Sequence, residues 1–153
     1  MEISSILSLQ AVVANLKASS KKQALQELAA VAAKETGVHE RIIFDILLQR
    51  ERLGSTGVGN GIAIPHGKLK DIDQLFGVFA RLPTAIDFEA IDEQMVDLVF
   101  LLLAPDSAGA DHLKALAKVS RLLRDEDTCY QLRGSENSEA LYALLTQTHE
   151  NNG

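Results

Sequence analysis

His66 stands in the densest group of glycine and proline residues in the chain. The segment 54–67 reads GSTGVGNGIAIPHG and holds five of the ten glycines, together with Pro65 directly before the histidine. Glycine lets other groups approach the backbone closely, and proline restricts the residue before it to extended conformations. We therefore expect a loop that holds His66 in a fixed place with open space around its imidazole, as a reactive side chain requires.

The spacing of these glycines excludes the common nucleotide-binding loops. A Walker loop has four residues between its first glycine and a Gly-Lys pair that precedes Ser or Thr. Here five residues separate Gly61 from the Gly-Lys pair at 67–68, and leucine follows. The dinucleotide fingerprint Gly-x-Gly-x-x-Gly starts well at Gly57 but has Ile62 in its last position. We therefore predict that no nucleotide binds this segment.

Metal and serine-hydrolase chemistry are also disfavoured. His66 and His112 are the only attractive pair of zinc ligands, Cys129 stands alone, and neither His-Glu-x-x-His nor Cys-x-x-Cys is present. The chain also lacks the Gly-x-Ser-x-Gly motif of a serine nucleophile. Ser55 and Thr56 are interpreted as turn residues that satisfy their own backbone. The prediction is a site with no metal and no cofactor.

The remaining chemistry uses histidine itself as the nucleophile. Imidazole has a pKa close to neutrality, so its neutral form can accept a phosphoryl group and give it up again. The charge of that group requires neutralising donors, such as an arginine, backbone amides and a second histidine. The sequence offers all three as Arg50, the glycine amides and His112.

Composition limits the class of protein. The 153 residues suit one domain, 1–153, with a core at about 4–148, and 46% hydrophobic residues can fill that core. A net charge of −6 disfavours nucleic acid and polybasic membrane contacts. Cys129 is the only cysteine, so no intrachain disulfide can form, and the start of the chain lacks the basic region of a secretory signal. The apolar run 98–104 is far too short for a membrane span, so we expect a cytoplasmic protein.

The apolar spacing predicts helices alternating with strands, and hence an α/β sandwich. A capping box at Ser20 and Gln23 starts the first helix, and Gly37 stops it. His39 and His149 are interpreted as surface or cap residues. Helices are predicted at 21–36, 39–52 and 111–124, and a last helix is capped by Ser138. The helix at 39–52 has a buried stripe at positions 42, 43, 46 and 47. Strands are predicted at 12–13, 62–64 and 75–82, with a central strand at 96–103. Strand order stays open at this point.

Arg50-Glu51, followed by GSTGVGNGIAIPHG, resembles the active-site signature of the fructose/mannitol-type EIIA domains (PTS EIIA type 2) of the bacterial phosphoenolpyruvate phosphotransferase system. The segment 53–69 is especially similar to the nitrogen-regulatory branch of that family (EIIA-Ntr). The motif His112-Leu113-x-x-Leu116, which opens a predicted helix, also resembles the family. The resemblance covers nearly the whole chain.

The resemblance implies a mixed β-sheet flanked by helices on both faces and a role for each candidate residue. His66 would be the phosphorylated residue, and a small phosphocarrier protein with its own phosphohistidine (HPr-like, NPr) would be the donor. His112 would hydrogen-bond the phosphoryl group or the imidazole ring, and Arg50 would help to neutralise the phosphoryl charge. The phosphorylation state would regulate partner proteins, such as components of potassium transport or sensor kinases.

Three alternatives stay open from the sequence. The chain could be a sugar-specific EIIA that passes phosphate to an EIIB domain, or a binding module that has lost phosphotransfer. Arg52 is a close substitute for Arg50, since a basic residue at a helix C-terminus also favours the helix dipole. The sequence leaves open which ring nitrogen of His66 would be phosphorylated.

Overall fold

The computed structural model describes residues 1–147, which form a six-stranded mixed sheet and five α-helices. The sheet has the order β1-β5-β6-β3-β2, and β4 also pairs with β6. Two short 3-10 helices precede the first strand. The strands are β1 (Val12–Val13), β2 (Gly57–Gly59), β3 (Ile62–Ala63), β4 (His66–Leu69), β5 (Phe76–Ile86) and β6 (Val96–Pro105), and the helices are α1 (Lys21–Thr36), α2 (Glu40–Arg52), α3 (Ala110–Arg124), α4 (Glu126–Arg133) and α5 (Ser138–Thr146).

Strand β6 is the centre of the molecule. It pairs antiparallel with β5 and parallel with both β3 and β4. Every residue of β6 is buried except the half-buried Asp97. Because successive side chains of a strand point to opposite faces, both faces of the sheet are covered. The predicted α/β sandwich, with helices on both faces of a mixed sheet, is confirmed.

The helix boundaries follow from their capping residues. The Ser20 hydroxyl accepts a hydrogen bond from the Gln23 amide at 3.1 Å, as predicted. The Gln23 side chain reaches back to the Ser19 amide at 2.7 Å, one residue before the expected position. Gly37 ends α1 with φ of 78°, and His39 caps α2 by accepting from the Arg41 amide. His149 lies outside the described residues.

A tight hairpin connects β2 and β3 and was not predicted. Its two connecting residues, Asn60 and Gly61, have φ of 58° and 81°. Positive φ at both positions is the requirement of a type I′ turn, and Asn-Gly is the residue pair that best meets it. The glycine segment therefore contains the unpredicted strand β2 beside the predicted strand at 62–64, and His66 is the first residue of β4 rather than a loop residue.

Several expected details are wrong for local reasons. Strand β5 continues past Pro83 to Ile86, because its pairing with β6 is irregular there and no ladder hydrogen bond from residue 83 is required. Helix α4 was missed, since its eight residues are too few to show a clear period. Asn137, not Ser138, caps α5 by accepting from the Ala140 amide. Ile42 does not belong to the buried stripe of α2, since it is 45% exposed.

Within residues 1–147, no helix is long and apolar enough to cross a membrane.

Candidate functional site

His66 is held by the central strand on its backbone side and by a carbonyl on its ring side. It pairs in parallel register with Leu102 of β6, and the Leu102 amide donates to the carbonyl of Pro65 at 2.9 Å. The Nδ1 atom of the half-buried His66 lies 2.9 Å from the carbonyl oxygen of Ile64. A carbonyl can only accept, so Nδ1 carries the proton and donates. The lone pair of the neutral ring is therefore on Nε2, the nucleophilic atom.

His112 lies beside His66, as the sequence analysis expected. It is the third residue of α3, is 9% exposed, and its ring centroid is 5.8 Å from that of His66 at an interplanar angle of 66°. Its Nε2 atom is buried and has no hydrogen-bond partner within the described part of the chain. A buried ring nitrogen without a partner, next to a nucleophilic imidazole, is available to bind a group transferred to that imidazole.

The environment of His112 favours its neutral form. Burial lowers the pKa of His112, and the positive charges of His66 and Lys68 lower it further. The N-terminal end of α3 adds positive potential, since Gly109 precedes the helix and no side chain within residues 1–147 caps it. This lowered pKa favours the neutral form of His112 at physiological pH.

We expect the stability of the protein to fall in mild acid because of His112. Its pKa is lower in the folded chain than in the unfolded one, so the unfolded chain binds the proton more readily. This contribution to stability is present above the unfolded pKa of about 6.5 and is lost as the pH falls through the folded pKa. Urea unfolding of wild type and His112→Gln at about pH 7.5 and about pH 5.5 measures it. The decrease in unfolding free energy from the higher to the lower pH should be smaller in His112→Gln than in wild type, and the same as wild type in His39→Gln. Equal decreases in all three proteins would show that His112 does not cause the acid sensitivity.

Arg50 contacts the first residue of the glycine segment. It belongs to the last turn of α2, and its Nη1 atom donates to the Gly54 carbonyl at 2.9 Å. The structure shows no hydrogen bond between Arg50 and either histidine within residues 1–147. The guanidinium has five N–H donors, so the bond to Gly54 leaves others to bind an anion. The neighbouring Arg52 is exposed.

Two anchors of the glycine segment were not predicted from the sequence. Arg133 of α4 donates from Nη2 to the Asn60 carbonyl at 2.8 Å and from Nε to the Asp97 carboxylate at 2.8 Å. These bonds tie the hairpin turn to β6, and the Asp97 carboxylate raises the pKa of Arg133. The signal for this anchor was not in the local sequence, because 73 residues separate Asn60 from Arg133.

The second anchor is the Glu51 carboxylate, which binds Thr56. Thr56 donates both its amide and its hydroxyl to Glu51, and so it does not satisfy its own backbone as predicted. Ser55 does behave as a turn residue, since its hydroxyl accepts from the Gly57 amide at 3.0 Å. A glutamate three residues before a Gly-Ser-Thr turn is the sequence signal that could have indicated this contact.

The described residues contain no group of three or more His, Cys, Asp or Glu side chains placed to hold a metal ion. Cys129, the single cysteine, is buried, and its thiol donates to the Leu123 carbonyl.

Comparison with known proteins decides the family. Residues 5–148 match the sequence model of the family described as "Phosphoenolpyruvate-dependent sugar phosphotransferase system, EIIA 2". The chain belongs to the PTS EIIA type 2 family. This membership confirms the resemblance that the residues around Arg50, His66 and His112 suggested.

Among members of the PTS EIIA type 2 family, the chain is similar to nitrogen regulatory proteins. It is 59% identical to the nitrogen regulatory protein of Bradyrhizobium diazoefficiens over 95% of each chain. It is 42% identical to the nitrogen regulatory protein of Escherichia coli K12, over 97% of this chain and 91% of that protein. The crystal structure of the nitrogen regulatory protein IIA-Ntr from Neisseria meningitidis superposes with a TM-score of 0.89 at 34% identity, covering 94% of this chain and 99% of that one. These relatives support a role in the nitrogen-regulatory EIIA branch of the phosphotransferase system.

Proposed function

We propose that this chain accepts a phosphoryl group on Nε2 of His66 from a phosphohistidine carrier protein and regulates partner proteins according to its phosphorylation state. The observation that carries the proposal is the hydrogen bond from Nδ1 of His66 to the Ile64 carbonyl, which leaves the lone pair on Nε2. The nearby His112 is buried and has no partner at Nε2 among residues 1–147, which supports the same assignment. Membership of the PTS EIIA type 2 family supports a phosphocarrier as the donor.

The transfer exchanges one phosphorus–nitrogen bond for another. The lone pair on Nε2 of His66 attacks the phosphorus atom of the donor's phosphohistidine. The bond from phosphorus to the donor imidazole breaks, and the donor nitrogen keeps the electron pair. His66 retains its Nδ1 proton on the Ile64 carbonyl throughout, so the acceptor ring needs no general base.

His112 and Arg50 stabilise the transferred group in this proposal. The Nε2 atom of His112, which no described residue binds, carries the ring proton and donates to a phosphoryl oxygen. Arg50 supplies the positive charge, using guanidinium N–H groups that do not bind Gly54. The group brings a charge of about −1.5 to −2 to a chain that already has a net charge of −6, so local neutralisation is needed.

Regulation follows from the charge of the phosphorylated form. A partner protein that contacts the surface around His66 meets a neutral imidazole in one state and a phosphoryl group in the other, and its affinity changes accordingly. We place this switch in the cytoplasm. Components of potassium transport and sensor kinases are the classes of partner that we would test first. The similarity to nitrogen regulatory proteins favours this reading over a sugar-specific role.

The test of the proposal is a reconstituted phosphotransfer reaction. The protein is incubated with phosphoenolpyruvate, the general first enzyme of the system and the phosphocarrier, and its mass is measured. We expect an acid-labile gain of one phosphoryl group that requires the phosphocarrier. A protein that gains no phosphoryl group in the complete mixture would overturn the proposal. Rapid onward transfer to the EIIB domain of a fructose-type transporter would assign the chain to the sugar-specific branch instead.

Replacing His112 is expected to slow phosphorylation without preventing it. His112→Ala keeps the nucleophile but loses the donor to the phosphoryl group, and loss of one such donor costs roughly 10²–10³-fold in rate. Single-turnover transfer from the phosphorylated carrier measures the change. Leu113→Ala, at the exposed neighbouring position, is the matched control for the helix surface. Wild-type kinetics in His112→Ala would remove His112 from the site.

A further inference from the structure

The carboxylate of Glu51 is buried next to the proposed site, and the mechanism above does not use it. Glu51 follows Arg50 in the last turn of α2, and its side chain is 2% exposed. Charged side chains are rarely so deeply buried unless they are paired and hydrogen-bonded. Such burial indicates that the Glu51 carboxylate holds other groups in place.

Its partners come from two parts of the chain, Lys21 and Thr56. Lys21, at the start of α1, places its Nζ atom 3.3 Å from one carboxylate oxygen. The same oxygen accepts from the Thr56 amide at 3.1 Å, and the other accepts from the Thr56 hydroxyl. Lys21 also pairs with Glu89 at 3.0 Å and lies over the ring of Phe88. Glu51 therefore fixes Thr56 through both its backbone and its side chain.

A continuous path of hydrogen bonds leads from Thr56 to His66. The carbonyl of the buried Thr56 accepts from the Ile64 amide at 3.0 Å. The carbonyl of Ile64 accepts from Nδ1 of His66 at 2.9 Å. The position of the carbonyl that holds the imidazole thus depends on Thr56, and the position of Thr56 depends on Glu51.

We propose that Glu51 is a positioning residue for His66. By holding Thr56, it places the Ile64 carbonyl where it fixes the Nδ1–H tautomer of His66, and so it keeps the lone pair on Nε2. Glu51 touches neither the phosphoryl group nor the imidazole. If the Ile64 carbonyl moves, the neutral ring can carry its proton on either nitrogen, and the protonated Nε2 cannot attack phosphorus. The predicted effect on transfer rate rests on the proposed function, whereas the effect on the tautomer does not.

The experiment compares the tautomer of His66 with the rate of phosphotransfer in graded variants. Glu51→Ala removes the carboxylate, Glu51→Gln keeps its shape and one acceptor, and Thr56→Val removes only the hydroxyl. Nitrogen-15 NMR of the imidazole reports the tautomer, and transfer from saturating phosphorylated carrier reports kcat. Glu35→Ala controls for the loss of an exposed carboxylate, and Leu141→Ala controls for loss of stability at a distant buried position.

We expect His66 to be a single Nδ1–H tautomer in the wild type and a mixture in Glu51→Ala. The kcat should fall by roughly 10–100-fold, as for other residues that orient a reacting side chain, while KM for the carrier changes little. Glu51→Gln should recover most of the wild-type tautomer, and Thr56→Val should lie between the two. Both controls should keep the wild-type tautomer.

Two results would overturn the proposal. One is a folded Glu51→Ala or Thr56→Val protein with the wild-type tautomer and rate. The other is a Leu141→Ala protein, matched in stability, that shows the same mixture of tautomers. If the tautomer changes as expected but neither the wild type nor any variant accepts phosphate, the positioning role of Glu51 stands and the proposed function fails. If Glu51→Ala does not fold, Thr56→Val alone decides.

Discussion

Replacing His66 by alanine is expected to abolish phosphorylation completely, while the protein stays folded. Alanine has no nucleophilic atom, and a half-buried position at the start of a strand tolerates it. In the mixture of phosphoenolpyruvate, first enzyme and phosphocarrier, wild type should gain one phosphoryl group and His66→Ala none. The measurement is intact mass before and after mild acid, because the phosphorus–nitrogen bond of a phosphohistidine is acid-labile.

The control for this experiment is another histidine. His39→Ala removes an exposed imidazole that caps α2, at a cost of about 1 kcal/mol in stability. It should accept phosphate like wild type. Label that persists on His66→Ala would show that another residue is the acceptor, and His112 would be the first one to examine because its ring is 5.8 Å away.

Phe100→Ala is expected to cause the largest loss of stability, about 3–5 kcal/mol of the ~5–15 kcal/mol typical of a domain. Phe100 is fully buried at the centre of β6, and its ring packs edge-to-face on Phe79 of β5 with centroids 6.4 Å apart. Alanine would remove this contact and leave a cavity in the middle of the sheet. Urea unfolding at constant pH measures the free energy, with the exposed Tyr130→Ala as the control.

A double-mutant cycle with Gly77 makes this prediction sharper. A Cβ atom on Gly77 would lie 2.8 Å from Cε1 of Phe100, so Gly77→Ala should cost about 1–3 kcal/mol by overpacking. In a Phe100→Leu background the ring edge is absent, and the cost of Gly77→Ala should be smaller. Costs that simply add would show that the ring of Phe100 does not fill the space above Gly77.

The sequence predicted the parts of the fold that depend on local pattern. The nearly continuous apolar run at 96–103 does not alternate between apolar and polar residues. It therefore indicated a strand that is covered on both faces, as β6 is. Ser20 and Gly37 marked the ends of α1 because capping is a local property. The hairpin turn at Asn60-Gly61 could have been predicted on the same grounds, since this pair is the typical type I′ signal.

The rest could not be predicted because it depends on contacts between distant residues. The distance between His66 and His112 is set by α3 and β4, which meet only in the folded chain. The bond from Arg133 to the Asn60 carbonyl has no trace in the sequence of either segment. The roles of His66, His112 and Arg50 remain predictions, which the experiments above address.

The attachment of His66 to β6 has a consequence for how the protein signals. The Pro65 carbonyl is bonded to the Leu102 amide in the most buried strand, so His66 cannot move without opening the sheet. Amide exchange at Leu102 should accordingly be among the slowest in the chain. A nucleophile attached to a buried central strand is poorly placed to report its state by a large change in backbone shape. We expect a partner to distinguish the two states by the presence or absence of the phosphoryl group itself, while the rest of the protein surface stays almost unchanged.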